Sequence, residues 1–170
     1  MDLKKFIREV PDFPYEGILF RDITPMLLDP LAFRESIAQI QGLLGDLEYD
    51  LIAAPESRGF IVGIPLAQAV GKGFIPARKE GKLPFKTVAQ SYDLEYGSAT
   101  IEIHIDAIKP GQRVVIADDL LATGGTCSAL CKLIEERGGI VAGIVFLIEL
   151  GIFGGREVLD GYDVWSLLKY

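Results

Sequence analysis

The run VVIADDLLATGGT, at residues 114–126, decides the fold of this chain. It opens with four apolar residues, mostly β-branched, which is typical of a strand buried on both faces of a parallel sheet. Asp118 and Asp119 follow at the carboxyl end of that strand. This is the edge of an open α/β sheet at which ligands bind. The small and hydroxylated residues from Ala122 to Thr126 then form a predicted tight turn into a helix.

The turn after the two acids has the composition of an anion site. Backbone N–H groups of a Gly/Thr loop at a helix N-terminus hold a phosphate, because they are unpaired and the helix dipole favours negative charge. The carboxylates of Asp118 and Asp119 repel phosphate, so they suit sugar hydroxyls, or a metal ion that bridges to other phosphates. The run therefore predicts a site for a sugar phosphate. The alternative is a buried strand with an acidic turn and no ligand.

Apolar periodicity along the chain predicts alternating strands and helices, which is typical of a parallel α/β sheet flanked by helices. The predicted strands cover residues 51–54, 74–77, 100–105, 114–117, 140–150 and 164–168, and residues 92–96 pair with 100–105 as a hairpin. Helices are predicted over 3–10, from Pro30 through the stripe that ends at Leu44, over 60–70 and over 125–137, with a helical turn at 156–159. Residues 78–91 are polar, basic and interrupted by Gly81 and Pro84, so they predict a flexible loop.

Composition limits the classes of function. A length of 170 residues fits one domain, residues 1–170, with a substantial core. The net charge of −7 and the pI near 4.8 argue against nucleic-acid binding. No apolar run reaches the length of a membrane span, and no signal peptide is visible. Cys127 and Cys131 lie four apart on a predicted helix, which favours reduced packing residues in a cytosolic protein over a metal pair.

Two further segments carry polar groups that suit a second anion. Pro55 to Gly59 also joins a strand to a helix, and the planar guanidinium of Arg58 is suited to a diphosphate oxygen. Taken alone, the segment is an ordinary serine cap with a solvated arginine. Residues 78–84 add three cations, which alone would be a solvated surface. His104, the single histidine, falls on the polar face of its strand and is predicted to face solvent.

The run at 114–126 closely resembles the motif with which type I phosphoribosyltransferases bind 5-phosphoribosyl 1-diphosphate (PRPP). Three further blocks match in order and spacing, GILFRDITP at 17–25, RKEGKLP at 78–84 and SYDLEYG at 91–97. With these blocks the chain is most similar to the family members that act on adenine. The resemblance covers residues 13–169 approximately.

The resemblance implies a type I phosphoribosyltransferase fold, a parallel sheet flanked by helices with a small hood from about residues 1–30. It implies transfer of the phosphoribosyl group from PRPP to adenine, giving AMP and pyrophosphate, in a cytoplasmic homodimer that requires Mg²⁺ bound mainly through PRPP. The implied site for the 5-phosphate and ribose consists of Asp118, Asp119, Ala122, Thr123, Gly124, Gly125 and Thr126. The implied pyrophosphate ligands are Ser57, Arg58, Arg78, Lys79 and Lys82.

The resemblance also assigns the base and the acid–base group. Glu95 is expected to handle the proton at N7 of adenine, with Tyr96 beside it in the same block. Leu19 and Arg21 are expected to line or flank the base. The Glu56–Ser57 peptide is expected to be cis, as in the pyrophosphate loop of the family.

Two alternatives remain open at this point. The acceptor could be another base, namely hypoxanthine, xanthine, uracil or orotate. The chain could also be a regulator that senses PRPP and binds nucleic acid. A regulator of that kind needs a basic face or an added DNA-binding domain, and this acidic chain offers neither.

Overall fold

Strands and helices alternate along much of the chain, as the apolar periodicity predicts, whereas four strands follow one another between residues 73 and 121. The structure, a computed structural model, describes residues 1–93 and 97–170. The strands are β1 (Arg8–Pro11), β2 (Leu19–Asp22), β3 (Leu51–Pro55), β4 (Gly73–Lys79), β5 (Thr87–Asp93), β6 (Ser98–His104), β7 (Arg113–Leu121), β8 (Ile140–Glu149) and β9 (Val164–Lys169). The helices are α1 (Thr24–Leu28), α2 (Pro30–Leu44), α3 (Arg58–Val70), α4 (Gly125–Glu136) and α5 (Gly155–Val158), with 3₁₀ turns at Leu3–Phe6 and Gly151–Phe153.

One mixed sheet organises the described residues. Its seven strands lie in the order β5-β6-β4-β3-β7-β8-β9 within the part of the chain that the structure describes. The five strands β4, β3, β7, β8 and β9 run parallel, whereas β6 pairs antiparallel with both β4 and β5. The fold prediction is therefore confirmed, with an antiparallel hairpin at one edge. Strands β3 and β7 are neighbours, so their carboxyl ends place both predicted anion loops on one edge of the sheet.

The core lies on both faces of β7. Val115 and Ala117 pack into a cluster beneath α2 and α3, whereas Val114 and Ile116 pack into a second cluster beneath α4. All four side chains are fully buried. Successive side chains of a strand point to opposite faces, so an uninterrupted apolar run is what a strand covered on both faces requires.

The N-terminal segment differs from its prediction. A helix is predicted over residues 3–10, but the structure has a 3₁₀ turn followed by β1, which pairs antiparallel with β2. The apolar spacing is real, because Leu3 and Ile7 are buried. A helix this short is costly to nucleate and Pro11 would end it, whereas pairing with β2 satisfies the backbone groups.

The connection over residues 78–91 is shorter than predicted. Arg78 and Lys79 end β4, and Thr87 begins β5, so residues 80–86 alone join the two strands. Strand β5 lies at the edge of the sheet, where backbone pairing with β6 holds it and a continuous apolar run is not needed. Because β5 lacks the apolar run of a buried strand, its polar composition predicts a loop.

The prediction that His104 faces solvent is wrong. The residue is half-buried, and its Nε2 atom is buried without a hydrogen-bond partner among the described residues. The ring of Phe85 meets it edge-on, with 6.1 Å between the ring centroids. Glu102, on the same predicted wet face, is buried too. The connection that follows β4 covers this face, which strand alternation alone does not reveal.

Two further observations concern the cysteines and the helices of the described residues. Cys127 and Cys131 are free and buried in α4. Among residues 1–93 and 97–170 no helix combines the length and the apolar character needed to cross a bilayer.

Candidate active site

The carboxyl end of β7 holds the two predicted acids side by side. The backbone N–H of Asp119 donates to Oδ1 of Asp118 over 2.8 Å. The strand continues through Leu121, beyond the predicted end at residue 117, so both acids are held by the sheet. Gly124 then turns the chain with φ +79° and α4 begins at Gly125. Its positive φ is one that residues with a side chain rarely adopt.

The loop after β3 lies against these acids. Nε of Arg58 is 3.0 Å from Oδ2 of Asp119. A Cβ atom at Gly59 would lie 2.8 Å from Oδ1 of Asp118, so this close approach requires glycine. The Glu56–Ser57 peptide is cis, which confirms that prediction. The two loops therefore form one continuous surface.

Together the two loops enclose a cavity of about 420 Å³ at the carboxyl edge of the sheet. Its lining includes most of the predicted anion-binding residues, namely Ser57, Arg58, Lys79, Asp118, Asp119, Ala122, Thr123, Gly124, Gly125 and Thr126. The first N–H groups of α4 have no partner within the helix, as at any helix N-terminus. The cavity thus offers backbone donors and hydroxyl groups on one side and carboxylates with a guanidinium on the other.

Burial controls the charge of the acid pair. Burial, reinforced by the neighbouring Asp119, raises the pKa of Asp118 well above its usual range. Burial also raises the pKa of Asp119, although the guanidinium of Arg58 opposes that effect. Two carboxylates at this depth resist carrying two charges at once. A partner that donates hydrogen bonds, or a cation, is what favours their ionised form.

The predicted cations divide into two groups. Lys79 lines the cavity, whereas Arg78 and Lys82 are absent from its described lining. Nε of Arg78 instead lies 3.2 Å from Oε1 of Glu56, and its Nη1 donates to the carbonyl of Lys82 over 3.2 Å. The backbone N–H of Lys79 donates to the same Glu56 carboxylate over 2.8 Å. Burial works against ionisation of Glu56, but these hydrogen bonds outweigh it and lower its pKa.

A second, largely apolar cavity of about 470 Å³ adjoins the first. Leu19 and Arg21, the predicted base-flanking residues, both line it. The Cζ of Arg21 lies 4.1 Å from the centre of the Tyr170 ring, and its guanidinium pairs with Glu9. Leu120 and Ala122 line both cavities, so the two share a wall.

Sequence reasoning missed part of this apolar lining. Ile152 and Phe153 contribute to it from the 3₁₀ turn after β8, and Ile152 is 87% exposed. Exposed large apolar residues between glycines, directly after a strand at the ligand-binding edge, are the signal that could have identified them. Tyr170 was missed for a different reason, because β9 brings it to the cavity from the far end of the chain.

Glu95 and Tyr96, the predicted catalytic block, lie outside the described residues. Their assignment stays a prediction. Tyr92, in the described part of the same block, contacts residues 122–126, called the anion loop below. The hydroxyl of Thr126 donates to the phenol oxygen of Tyr92 over 3.1 Å.

Comparison with known proteins gives a consistent result. The family model described as the phosphoribosyl transferase domain matches residues 26–164. An adenine phosphoribosyltransferase of Thermotoga neapolitana is 54% identical over 170 residues, which is all of both chains. The crystal structure of the adenine phosphoribosyltransferase of Thermoanaerobacter pseudethanolicus has a TM-score of 0.97 and 56% identity, covering 99% of this chain and 98% of that one. The Saccharomyces cerevisiae enzyme, solved with adenine and an imino-altritol bisphosphate, has a TM-score of 0.91 and 38% identity, with 97% and 96% coverage.

The loop after β8 makes a testable contact with the anion loop. A Cβ atom at Gly155 would lie 2.2 Å from the carbonyl oxygen of Ala122, so Gly155→Ala forces the two segments apart. We expect phosphate ligands to bind about tenfold more weakly or worse, because a displaced loop loses N–H donors to the anion and one hydrogen bond to a charged group is worth about 1.5–3 kcal/mol. Calorimetric titration with ribose 5-phosphate measures the effect.

Gly42→Ala is the matched control for that variant. Gly42 lies in α2, where an added Cβ would meet nothing within 4 Å. Its affinity for ribose 5-phosphate should equal that of the wild type. Equal affinities for all three proteins would show that Gly155 does not position the anion loop.

Proposed function

The chain belongs to the phosphoribosyltransferase family, among its adenine phosphoribosyltransferases, and on that premise we propose which residues carry each part of the reaction. The enzyme transfers the 5-phosphoribosyl group of PRPP to adenine and releases AMP and pyrophosphate. N9 of adenine forms a bond to C1′ as the bond from C1′ to the diphosphate oxygen breaks. The bonding electrons leave with pyrophosphate, and adenine loses its N9 proton.

The shared wall of the two cavities is the observation that best supports this reaction. One cavity presents acids, hydroxyls and unpaired helix N–H groups, and the other is mainly apolar with one guanidinium. Leu120, near the end of β7, and Ala122, directly after it, line both cavities. A sugar phosphate in the first and a flat base in the second would be adjacent, which is what a bond between C1′ and N9 needs.

The anion loop at the start of α4 is the proposed binding site of the 5-phosphate. Backbone N–H groups from Ala122 to Thr126 and the hydroxyls of Thr123 and Thr126 supply donors. Asp118 and Asp119 are assigned to the ribose hydroxyls. Their raised pKa values support that role, because an acid pair held at such depth gains from neutral donors that satisfy its oxygens.

The loop after β3 is the proposed binding site of the diphosphate. Ser57 and Arg58 line the cavity there, and Lys79 approaches it from the end of β4. Arg58 is 44% exposed although it pairs with Asp119, so its guanidinium keeps surface for a ligand oxygen. Arg78 and Lys82 remain proposed ligands. Lys82 belongs to the 80–86 connection and would move inward with it, whereas Arg78 at the end of β4 would have to release Glu56.

The donor set suits a magnesium ion held mainly by substrate oxygens. Asp118 and Asp119 line the cavity, and no cluster of three or more acidic, histidine or cysteine ligands occurs in the described ranges 1–93 and 97–170. Mg²⁺ commonly takes one or two carboxylates together with substrate phosphates and water. When bound, it would neutralise charge on the diphosphate. The protein's own part is to offer these carboxylates beside the proposed ribose site.

The transition state develops positive charge on the ribosyl group and negative charge on the diphosphate. Positioning and electrostatics therefore dominate catalysis. Arg58 and Lys79 are placed to meet the leaving negative charge, and the acid pair lies near the ribose. Closure of the segment that follows β4 would exclude water that otherwise hydrolyses PRPP.

Adenine occupies the apolar cavity in this proposal. Leu19 and Arg21 flank it as the sequence predicts, and Ile152 and Phe153 add apolar surface. Glu95 is proposed to share a proton with N7 of the purine, which helps N9 to attack as its own proton leaves. Relatives named for adenine at 54–57% identity favour this base over the other purines and pyrimidines.

Three further proposals concern the domain, the oligomeric state and the cellular location of the protein. Residues 1–170 form one phosphoribosyltransferase domain with a hood from about residues 1–30, supported by the β1–β2 sheet whose Leu19 and Arg21 line the base cavity. The enzyme acts as a homodimer, which sedimentation equilibrium tests directly. It is a cytoplasmic protein, as its free buried cysteines suggest.

The reaction is tested by measuring nucleotide formation from PRPP and Mg²⁺ with each base in turn. Adenine should give AMP and pyrophosphate in equal amounts. Hypoxanthine, xanthine, uracil and orotate should give at most a small fraction of that rate. A higher kcat/KM for any of these bases would overturn the assignment of adenine.

Removal of the metal ion should stop the reaction. With a chelator in excess, AMP formation is expected to fall to background and to return when Mg²⁺ is restored, because the uncompensated diphosphate is a poor leaving group. Undiminished turnover in the chelator would contradict the proposed use of Mg²⁺. Circular dichroism with and without the chelator verifies that the fold is unchanged.

The acid–base role is tested by Glu95→Gln. The variant keeps size and hydrogen bonding but cannot exchange the proton, so kcat should fall by about 10²–10⁴-fold. The affinity for PRPP should change little, because PRPP is proposed to bind elsewhere. Glu136→Gln, an exposed position on α4, is the matched control and should keep wild-type turnover. Wild-type kcat in Glu95→Gln at saturating adenine would show that Glu95 has no catalytic role.

A further inference from the structure

Two hydroxyl groups connect the anion loop to the strand that precedes the proposed catalytic block. Thr126 lies in the first turn of α4, and Tyr92 lies near the end of β5. Their oxygen atoms are 3.1 Å apart, with the Thr126 hydroxyl donating to the Tyr92 phenol. The chain passes from Tyr92 through Asp93 toward Glu95. A contact at this point therefore joins two parts of the site that are distant in sequence.

The surrounding packing fixes this contact. The half-buried Tyr92 ring packs against the core cluster beneath α4. A Cβ atom at Gly125 would lie 3.5 Å from Cδ2 of Tyr92 and 3.6 Å from the carbonyl oxygen of Asp93. Strand β5 thus lies within van der Waals reach of the first turn of α4. The hydroxyl pair is held by packing on both sides, so its hydrogen bond does not need to bring the segments together.

The donors and acceptors that the two hydroxyls offer determine how their hydrogen bond would change when a phosphate binds. Each hydroxyl has one hydrogen to donate and lone pairs to accept. In this structure the Thr126 hydrogen is directed to Tyr92. A phosphate in the loop is a stronger, charged acceptor and would take that hydrogen. The Tyr92 phenol can then turn its own hydrogen to the Thr126 oxygen, which leaves both groups satisfied.

We propose that Tyr92 is a positioning residue whose phenol completes a relay of hydrogen bonds from β5 through Thr126 to the 5-phosphate of the substrate. This inference rests on the proposed role of the 122–126 loop. With phosphate bound, the relay runs from Tyr92 to Thr126 to the anion, and each bond polarises the next. The contact between β5 and α4 is therefore stronger in the occupied state. Binding of the phosphoribosyl end secures the strand that leads to Glu95.

The relay predicts that loss of the Tyr92 hydroxyl weakens binding of the phosphoribosyl end of PRPP and leaves binding of the diphosphate end unchanged. Tyr92→Phe removes the hydroxyl and keeps the packed ring. The dissociation constant for ribose 5-phosphate should rise about three- to tenfold, which is the worth of one hydrogen bond. The dissociation constant for pyrophosphate with Mg²⁺ should stay unchanged, because its proposed ligands are on the β3 side of the cavity. Calorimetric titration of each ligand gives both values.

Tyr162→Phe is the matched control. Its phenol also makes one hydrogen bond with a residue of α4, as the donor to Glu135 over 2.8 Å, but at the other end of the helix. Both ligands should bind this variant as they bind the wild type. If Tyr162→Phe weakens ribose 5-phosphate as much as Tyr92→Phe does, the effect is one of helix stability and the proposal is wrong.

A double-mutant cycle tests the path through Thr126. Thr126→Val removes the intermediate hydroxyl with little change of shape, so adding Tyr92→Phe to it should cause no further loss of ribose 5-phosphate affinity. Additive losses, equal losses for both ligands, or an unchanged Tyr92→Phe would each overturn the relay. These outcomes are independent of the proposed reaction, which is judged on the wild-type enzyme by AMP formation and by the comparison of bases.

Discussion

The placement of two carboxylates at the buried end of a central strand is the constraint on which the rest of the site depends. Asp118 and Asp119 could not both ionise there without compensation, and Arg58 supplies part of it from the neighbouring loop. That ion pair requires β3 and β7 to be adjacent and parallel, so that both loops leave the sheet at one edge. The apolar run that precedes the acids secures this arrangement by burying β7 on both faces.

Close backbone approach is the second condition for the site. The loop after β3 contacts the acids at Gly59, and the loop after β8 contacts the anion loop where Gly124 faces Gly155. A methyl group at any of these positions would meet another atom at 2.8 Å or less. At Gly59 the close neighbour is the carboxylate of Asp118, whereas Gly124 meets the backbone of Gly155 and Gly155 meets that of Ala122. The proposed phosphate seat thus gets its shape from backbone contacts, which vary less than side-chain rotamers do.

The sequence predicted the features that follow from local pattern. The buried strands, the start of α2 at Pro30 and the turn into α4 all follow from periodicity and from the rules for helix starts. It failed where tertiary contacts decide. Strand β5 is an edge strand held by pairing, and β1 forms because β2 lies beside it. The site was anticipated where motifs are contiguous. Tyr170 escaped because β9 brings it to the apolar cavity from the far end of the chain, which no local spacing encodes. Ile152 and Phe153 carried a local signal, as exposed apolar residues between glycines, that was not used.

The common wall between the cavities has a consequence for how such enzymes diversify. Leu120 and Ala122 belong to both sides, but Ile152 and Phe153 line only the apolar side. On the proposal that adenine occupies the apolar cavity, exchanges at these two positions reshape the space for the base while the walls of the polar cavity stay as they are. A lineage could therefore acquire a new acceptor through a few changes in one short turn and inherit the donor chemistry intact. If the base binds there, base choice and ribosyl transfer can change independently of each other during evolution.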